Sequence, residues 1–597
     1  MARIEDYALV GDTQTAALIG RDGSIDWLPF PRFDSGACFA ALLGGPENGR
    51  WLLAPRGPIL RTRRRYRPGT LVLETEYDTP DGTARVVDFM PIRGREPDLV
   101  RLVEGVRGRV VIETELVMRF DYGRVVPWVR RRDHELTATA GPDALCLRGD
   151  IELRAAGLTT CGEAVVAPGE RRALTCTWFP SHEPLPAPLE PERALVETQQ
   201  WWEAWSARCT FAGPAREAVV TSLAVLKGLT YAPTGGIVAA PTTSLPERLG
   251  GVRNWDYRYC WLRDATLTLY ALLLGGHSEE AVAWREWLLR SAAGDPSRLQ
   301  IMYGVAGEAR LPELELPWLS GYEGSRPVRV GNDAHRQLQL DVYGELLDCF
   351  YEARRAGIAP DSWAWGLEEA LLGALERRWR EPDHGIWESR GPQRHFTHSK
   401  VMAWVAYDRA IKSAERFGVG GPIERWRALR REIHEEVCRR GYDSSRNTFT
   451  QSYGNVELDA SLLMLPLVGF LPPQDPRVIG TIEAIERELT DHGLVLRYRT
   501  ERPGAHDGLP PGDGAFLPCS FWLVDALLLL GQRERAERLF DRLLSLRNDV
   551  GLLPEEYAPA EGRFLGNFPQ AFTHLALVNS AFNLAGHPGG TARHRRE

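Results

Sequence analysis

One stretch of eleven residues, 254–264, concentrates side chains that could bind and process a sugar. It reads Asn-Trp-Asp-Tyr-Arg-Tyr-Cys-Trp-Leu-Arg-Asp and ends on the pair Arg263-Asp264. Aromatic rings suit the C–H faces of a sugar, and an adjacent arginine and aspartate suit its hydroxyls. The same residues also fit a plain helix start, with charges in its first turn and aromatics in the core. Taken alone, the stretch leaves both interpretations open.

Two later loops each place a carboxylate beside aromatic or apolar residues. Residues 382–390 contain Trp387-Glu388, and residues 551–557 contain Glu555-Glu556. An apolar, aromatic surrounding raises the pKa of a carboxylic acid toward the range in which it can protonate a leaving group. Glu388 is therefore a candidate general acid, and an ionised Glu555 is a candidate base for activating water. A solvated loop carboxylate is the alternative for each.

The separation of two such carboxyls would decide the stereochemistry of a glycoside cleavage. A gap of about 6.5–9.5 Å leaves room for a water and inverts the anomeric centre, whereas about 5–5.5 Å retains it. The sequence does not supply this distance.

The elements that carry these loops differ between the two halves of the chain. Residues 1–185 show short strand-like runs separated by turn signals, such as Asp-Gly at 22–23 and Pro-Asp-Gly at 80–82. Close strand spacing without intervening helical stretches predicts an antiparallel β-sandwich. Residues 186–212 are expected to form a linker with a Trp-rich helix, since prolines recur between 184 and 191.

Residues 213–590 show roughly twelve segments with apolar positions at helical spacing. About six helical hairpins predict paired helices closed into a toroid, an (α/α)6 barrel, with functional loops at one end. The helix count alone equally allows an open helical array. The predicted fold is thus multidomain, with an N-terminal β-sandwich followed by the barrel.

Composition excludes several classes of protein. The chain has 597 residues and a net charge of −8, so no basic field for nucleic acid is expected. No apolar run approaches the ~18 residues of a membrane span, and no secretory signal is visible. The nine cysteines are scattered without zinc-ligand spacing. We therefore expect a cytoplasmic protein without metal or cofactor, and we leave its oligomeric state open, a homo-oligomer included.

Several motifs resemble glycoside hydrolase family 15, the group of glucoamylases, glucodextranases and bacterial trehalases. Near the N-terminus, residues 6–12, 20–28 and 31–35 are similar to the family's trehalase-like N-terminal domain. The three loops at 261–264, 385–388 and 554–557 are similar to its active-site loops, and 328–332 and 565–572 are also similar to family segments. The resemblance covers nearly the whole chain, with the motifs in the family's order.

The resemblance implies a β-sandwich followed by an (α/α)6 barrel, and an inverting, exo-acting α-glucoside hydrolase that releases β-glucose. It implies that Glu388 is the general acid and Glu555 the general base. The expected substrate contacts are Arg263, Asp264, Tyr257, Trp261, Trp387, Glu556 and, on a weaker match, Arg497. The tyrosine would help to position the attacking water.

Two positions depart from the fungal glucoamylase pattern. Ser389 stands where those enzymes have a second acid, and Glu556 stands where they have a glutamine. Both places lie near the substrate in the family, so the departures bear on the preferred leaving group. Among substrates we favour α,α-trehalose because of the trehalase-like N-terminal domain, with malto- and isomaltooligosaccharides as the alternative.

Two other classes remain in comparison. An inverting phosphorylase would share both domains but replace water by phosphate and need no catalytic base, so Glu555 favours hydrolysis. A non-catalytic glucan-binding protein would keep Arg263 and Asp264 but need neither glutamate.

Overall fold

The computed structural model describes residues 2–132, 135–358, 362–501 and 507–586. Its N-terminal part contains two antiparallel sheets of eight strands each. The first sheet contains β1 (Tyr7–Gly11), β2 (Ala16–Gly20), β3 (Ser24–Pro29), β4 (Ala37–Phe39), β5 (Arg50–Pro55), β10 (Val110–Val117), β14 (Leu153–Ala156) and β15 (Thr159–Val166). The second contains β6 (Arg61–Tyr66), β7 (Leu73–Thr79), β8 (Gly82–Phe89), β9 (Asp98–Gly108), β11 (Trp128–Arg132), β12 (Glu135–Ala140), β13 (Asp143–Gly149) and β16 (Arg171–Pro180).

The burial of these strands shows which parts of the sandwich face solvent. Strand β10 alternates between buried and half-buried positions, as expected for a strand with one face on the core. Strands β1, β2 and β3 are buried at every position. The side chain of Trp27 on β3 donates from its indole to the carbonyl of Pro241, 2.8 Å away. This corner of the sandwich is therefore covered by the helical domain.

Thirteen α-helices follow among the described residues. They are α1 (Pro191–Ser206), α2 (Arg216–Gly228), α3 (Ala265–Leu274), α4 (Ser278–Ala292), α5 (Asp341–Arg355), α6 (Ser362–Arg378), α7 (Thr397–Phe417), α8 (Ile423–Arg440), α9 (Met464–Leu467), α10 (Pro476–Glu488), α11 (Leu517–Leu529), α12 (Arg533–Ser545) and α13 (Ala571–Leu584).

Twelve of these helices form two concentric rings. In the inner ring α3 packs on α5, α5 on α7, α7 on α9, α9 on α11, α11 on α13, and α13 returns to α3. Helices α2, α4, α6, α8, α10 and α12 lie outside it. The ring is closed, so the prediction of a toroid rather than an open array is confirmed.

The sequence explains which helices lie inside. Helix α3 is apolar nearly all round and almost fully buried, whereas α12 carries one apolar stripe among charged residues and buries only Ala536, Phe540 and Leu543. A helix that is hydrophobic on all sides must be enclosed, and an amphipathic one covers it. The expected helix at 460–468 is shorter than predicted. A 3₁₀ turn (Ala460–Leu463) precedes the single turn of α9, where Pro466 lacks the N–H that a longer helix would use.

The loops of the barrel carry short antiparallel pairs of strands. These are β17 (Thr230–Tyr231), β18 (Gly236–Ile237), β19 (Thr243–Pro246), β20 (Asn254–Asp256), β21 (Cys260–Trp261), β22 (Met302–Tyr303), β23 (Leu314–Glu315), β24 (Arg329–Val330), β25 (Tyr442–Asp443), β26 (Thr448–Phe449), β27 (Thr490–Asp491), β28 (Leu494–Val495), β29 (Ala515–Phe516), β30 (Glu556–Ala558) and β31 (Arg563–Leu565). Among the described helices, none combines the length and apolar character that a lipid bilayer requires.

Candidate active site

The loops before α3, α7 and α11 meet over the N-terminal ends of these inner helices, and the loop before α13 lies behind them, where its Glu556 pairs with Arg497. There the first three loops line a pit. Five of the residues predicted from the sequence line it: Tyr257, Arg263, Trp387, Glu388 and Arg497. The other four predicted residues lie directly behind this lining, each beside a residue of the wall.

Glu388 is held by two donors from the 254–264 stretch. The indole of Trp261 donates to its Oε1 at 2.7 Å, and Nη1 of Arg263 lies 3.4 Å from the same oxygen. Burial raises the pKa of the Glu388 carboxyl, and Arg263 and the Trp261 indole partly oppose this rise. The residue has a φ of +58°, in the left-handed region that non-glycine residues seldom adopt. Such a conformation persists only where the surroundings enforce it, so the loop fixes the direction of this carboxyl.

Arg263 and Asp264 form a buried ion pair at the start of α3. Nε of Arg263 donates to Oδ1 of Asp264 at 2.9 Å, and Nη1 lies 3.3 Å from the carbonyl of Ile386. The guanidinium also lies 5.0 Å from the centre of the Phe572 ring. Arg263 therefore connects the loop before α3 with the Glu388 loop. Helix α3 begins at Ala265, directly after this stretch, so the helix-start interpretation describes only its end.

Glu555 lies behind the wall of the pit and is only 1% exposed. Its Oε2 accepts a hydrogen bond of 2.9 Å from the backbone N–H of Asn567. Gly566, which has a φ of +72°, allows this close approach: a Cβ there would lie 2.4 Å from the same oxygen. Burial and the nearby carboxylate of Glu247 raise the pKa of Glu555, while Arg497 and the phenol of Tyr257 lower it.

Tyr257 lines the pit together with Glu388, and its phenol is affected by the charges of both candidate catalytic carboxyls. Its ring meets that of Trp261 edge to face, with the centres 5.1 Å apart. Burial raises the pKa of its phenol well above the usual value, and the charges of Glu555 and Glu388 both add to the rise. The phenol is thus protonated at neutral pH and can donate a hydrogen bond in the pit.

Arg497 is enclosed by carboxylates. Its Nη2 lies 2.6 Å from Asp513, 2.9 Å from Glu247 and 2.9 Å from Glu556. Glu556 is fully buried beneath the pit, where its Oε2 accepts from the N–H of Gly514 at 2.8 Å. The structure therefore places Glu556 where it orients Arg497, behind the surface that a ligand would touch.

Among the described residues, the three carboxylates around Arg497 lie close enough together to hold a metal ion. Glu247, Asp513 and Glu556 each place one oxygen within 4.8 Å of the others. The guanidinium of Arg497 supplies their positive charge.

Sequence reasoning missed Glu247 and Arg253, which both line the pit. Arg253 Nη2 lies 2.5 Å from Asp507, and its Nη1 lies 3.8 Å from Glu247. Both residues are carried by the hairpin of β19 and β20, which leads directly into the 254–264 stretch. Their closeness to that stretch was the only signal available.

Two family models match the chain. The model for glycosyl hydrolases family 15 matches residues 213–582, and the model described as trehalase-like, N-terminal, matches residues 1–185. A trehalase of Mycobacterium tuberculosis is 41% identical, over 97% of this chain and 89% of that protein. A trehalase of Thermoplasma volcanium is 33% identical, over 97% of this chain and 93% of that protein.

The architecture also matches a solved structure. A bacterial glucoamylase complexed with acarbose superimposes with a TM-score of 0.73, covering 100% of this chain and 96% of that one. At 11% sequence identity this likeness concerns the fold alone. It agrees with the predicted β-sandwich and (α/α)6 barrel, which are confirmed. The family model covers more than half of the chain, so the chain belongs to glycosyl hydrolase family 15 and is a glycoside hydrolase.

Proposed function

We propose that this chain hydrolyses α,α-trehalose, with Glu388 as general acid and Glu555 as general base. The observation that carries the proposal is the position of Tyr257, which lies in the pit beside Glu388 and interacts with Glu555 behind the wall. One glucose unit in the pit would then have an acid on one side and a base on the other.

The first step needs a proton on the glycosidic oxygen. Glu388, whose pKa is raised by burial, gives its proton to the leaving glucose. As the C–O bond breaks, positive charge develops on the sugar ring, and Glu388 becomes a carboxylate that must be stabilised. Arg263 holds the Glu388 carboxylate once it has lost its proton, since Nη1 already lies 3.4 Å from it.

The second partner of the reaction is water. Glu555 takes a proton from the water that attacks the anomeric carbon, and the Tyr257 phenol orients that water. The N–H of Asn567 fixes Oε2 of Glu555, which leaves Oε1 for the water. Because water attacks from the face opposite the leaving group, the anomeric centre is inverted.

Inversion makes a specific prediction for trehalose. Its two anomeric carbons are both α, and only one of them is attacked. The first products should therefore be one β-glucose and one α-glucose. Proton NMR within the first turnovers, before mutarotation, measures this ratio. Two α-glucose molecules would indicate retention and would contradict Glu555 as a base.

The choice of substrate rests on the relatives. The relatives from Mycobacterium tuberculosis and Thermoplasma volcanium are both named trehalases. Incubation with trehalose, maltotriose and isomaltose, with released glucose as the readout, tests the substrate. Trehalose should give the highest kcat/KM. A higher value for maltotriose or isomaltose would assign the chain to the malto- or isomaltooligosaccharide hydrolases of the family.

The same incubation with added inorganic phosphate tests for phosphorolysis. Hydrolysis predicts free glucose without glucose 1-phosphate. Phosphate-dependent formation of glucose 1-phosphate would contradict the proposal. The cytoplasmic location stays a prediction, which cell fractionation tests.

A further inference from the structure

Two residues of the 254–264 stretch, Asp256 and Arg258, lie outside the pit although they flank Tyr257. Both are 0% exposed. Neither residue lines the pit. Asp256 accepts the backbone N–H of Gly331 at 3.0 Å, and Arg258 contacts the β-sandwich. A fully buried arginine is costly unless all of its donors are paired, so its contacts show what it is built to hold.

The Arg258 guanidinium makes a bidentate pair with Asp256. Nε donates to Oδ1 at 2.8 Å and Nη2 to Oδ2 at 2.7 Å. The backbone N–H of Arg258 also donates to Oδ1 of Asp256, at 3.2 Å. This arrangement closes a rigid turn around Tyr257, because the two residues on either side of it are locked together.

The remaining contacts of Arg258 all reach the N-terminal domain. Nη1 donates to the carbonyl of Ser35 at 2.9 Å and lies 3.4 Å from the carbonyl of Phe33. The guanidinium also lies 5.8 Å from the centre of the Trp27 ring and 5.4 Å from that of Tyr122. Arg258 thus connects the Tyr257 turn to a loop and two rings of the sandwich.

A second link joins the same two regions independently. The N–H groups of Ala239 and Ala240 donate to the carbonyls of Tyr259 and Tyr257, both at 2.9 Å. The next residue, Pro241, accepts the indole N–H of Trp27 at 2.8 Å. The backbone carbonyls of Tyr257 and Tyr259 are therefore linked to the sandwich through residues 239–241.

We propose that Arg258 and Asp256 are positioning residues through which the N-terminal β-sandwich holds Tyr257 against the two catalytic carboxyls. The proposal rests on the function proposed above, in which Tyr257 orients the attacking water. It assigns the N-terminal domain a part in the hydrolysis although none of its residues lines the described pit.

The rate of hydrolysis should be sensitive to the position of Tyr257. A displacement of about 1 Å at a reacting group can lower a rate by about 10²-fold. A lysine keeps the charge of Arg258 but lacks the planar fork, so it cannot hold Asp256 and the Ser35 carbonyl together. The turn should then loosen while the barrel stays folded.

The sandwich offers a matched control. Arg101 is also 0% exposed and pairs with Asp88, with Nε 2.7 Å from Oδ1. It donates to the carbonyls of Trp51 and Gly23 at 2.7 Å each, and it lies 5.3 Å from the Trp51 ring centre. Arg101→Lys therefore removes an equivalent buried fork that does not touch the Tyr257 turn.

The test compares Arg258→Lys and Arg101→Lys in the full chain on trehalose. We expect Arg258→Lys to lower kcat by about 10-fold or more, with a smaller change in KM, and Arg101→Lys to leave kcat unchanged per folded molecule. Equal kcat values for the two variants would overturn the proposal, since both would then report only stability.

A pH profile adds a readout that general destabilisation would not move. The groups that act on the charge of Glu555 are Glu247, Arg497, Glu556 and the Tyr257 phenol, which lowers its pKa. Of these groups, only the Tyr257 phenol should change its position in Arg258→Lys. The pKa of Glu555 should then rise, so the ascending limb of kcat/KM should move to higher pH. An unchanged limb would overturn the proposal.

Two further variants keep the test decisive. If Arg258→Lys does not fold, Trp27→Phe removes the hydrogen bond to Pro241 while keeping a ring under the guanidinium. It should shift kcat and the limb in the same directions by smaller factors, and wild-type values would overturn the proposal. If Tyr257→Phe keeps full turnover, the proposed role of Tyr257 fails. If Tyr257→Phe loses turnover and Arg258→Lys does not, the positioning proposal alone fails.

Discussion

Glu388 lines the pit with its side chain 14% exposed, whereas Glu555 lies behind the lining and is 1% exposed. The first is held by side-chain donors, Trp261 and Arg263. The second is held by a backbone N–H and faces another carboxylate, Glu247. Burial raises the pKa of both carboxyls, so the two glutamates differ in their partners rather than in the direction of their pKa shifts.

The largest loss of activity is expected when either carboxylate is removed. Glu388→Gln and Glu555→Gln should each lower kcat on trehalose by about 10²-fold or more, the usual contribution of a positioned acid or base. Steady-state kinetics with glucose release measures this. Near-normal kcat in either variant would remove that residue from its proposed role.

A buried glutamate outside the pit controls for the substitution itself. Glu280 accepts the indole N–H of Trp205 at 2.6 Å, as Glu388 accepts that of Trp261. It also lies 3.1 Å from Nζ of Lys227. Glu280→Gln should therefore affect thermal stability but leave kcat unchanged per folded molecule.

A smaller loss of activity is expected from a substitution that affects only Glu388. Arg263→Lys keeps a cation near Glu388 but loses the simultaneous contacts with Asp264 and the Ile386 carbonyl. We expect kcat/KM to fall by about 10- to 10²-fold, with much of the loss in kcat, because the contacts strengthen as Glu388 becomes ionised. A change confined to KM would contradict this and would leave Arg263 a role in binding only.

The surroundings of Glu555 can be tested by removing the charge of its neighbour Glu247. The Glu247 carboxylate raises the pKa of Glu555, so Glu247→Gln should lower that pKa. Glu555 must be ionised to accept a proton, and activity is lost as pH falls through its pKa. The ascending limb of kcat/KM should therefore move to lower pH, while the descending limb, which reports Glu388, should move less.

Asp513→Asn is the control for this shift. Asp513 also binds Arg497, with 2.6 Å between the charged atoms, but it is not among the charges that act most strongly on Glu555. Its removal should move the ascending limb less than Glu247→Gln does. A larger shift for Asp513→Asn would show that the charge of Arg497, rather than Glu247, sets the protonation of Glu555.

Most of the architecture could be predicted because local patterns dictate it. Period-2 runs such as Val110–Val117 form strands, and the apolar segment Leu267–Leu274 forms most of a buried inner helix. Closure of the ring could not be predicted from such patterns, because it depends on the packing of α13 against both α3 and α11.

The candidate site was predictable where chemistry is concentrated in the sequence. Arg263, Tyr257, Trp387 and Glu388 lie in dense motifs, and they line one pit. The place of Glu247 was not predictable, because its main partner, Arg497, is 250 residues away along the chain. Only the folded loops reveal that a third carboxylate faces the base.

The central claim is the division of roles between the two glutamates, and α-glucosyl fluoride tests it most directly. Fluoride leaves without needing a proton, so a missing general acid should matter little and a missing base should matter fully. The account predicts that Glu388→Gln hydrolyses α-glucosyl fluoride at close to the wild-type rate while failing on trehalose, and that Glu555→Gln fails on both. Equal loss of both substrates in Glu388→Gln, or full activity of Glu555→Gln on the fluoride, would contradict it.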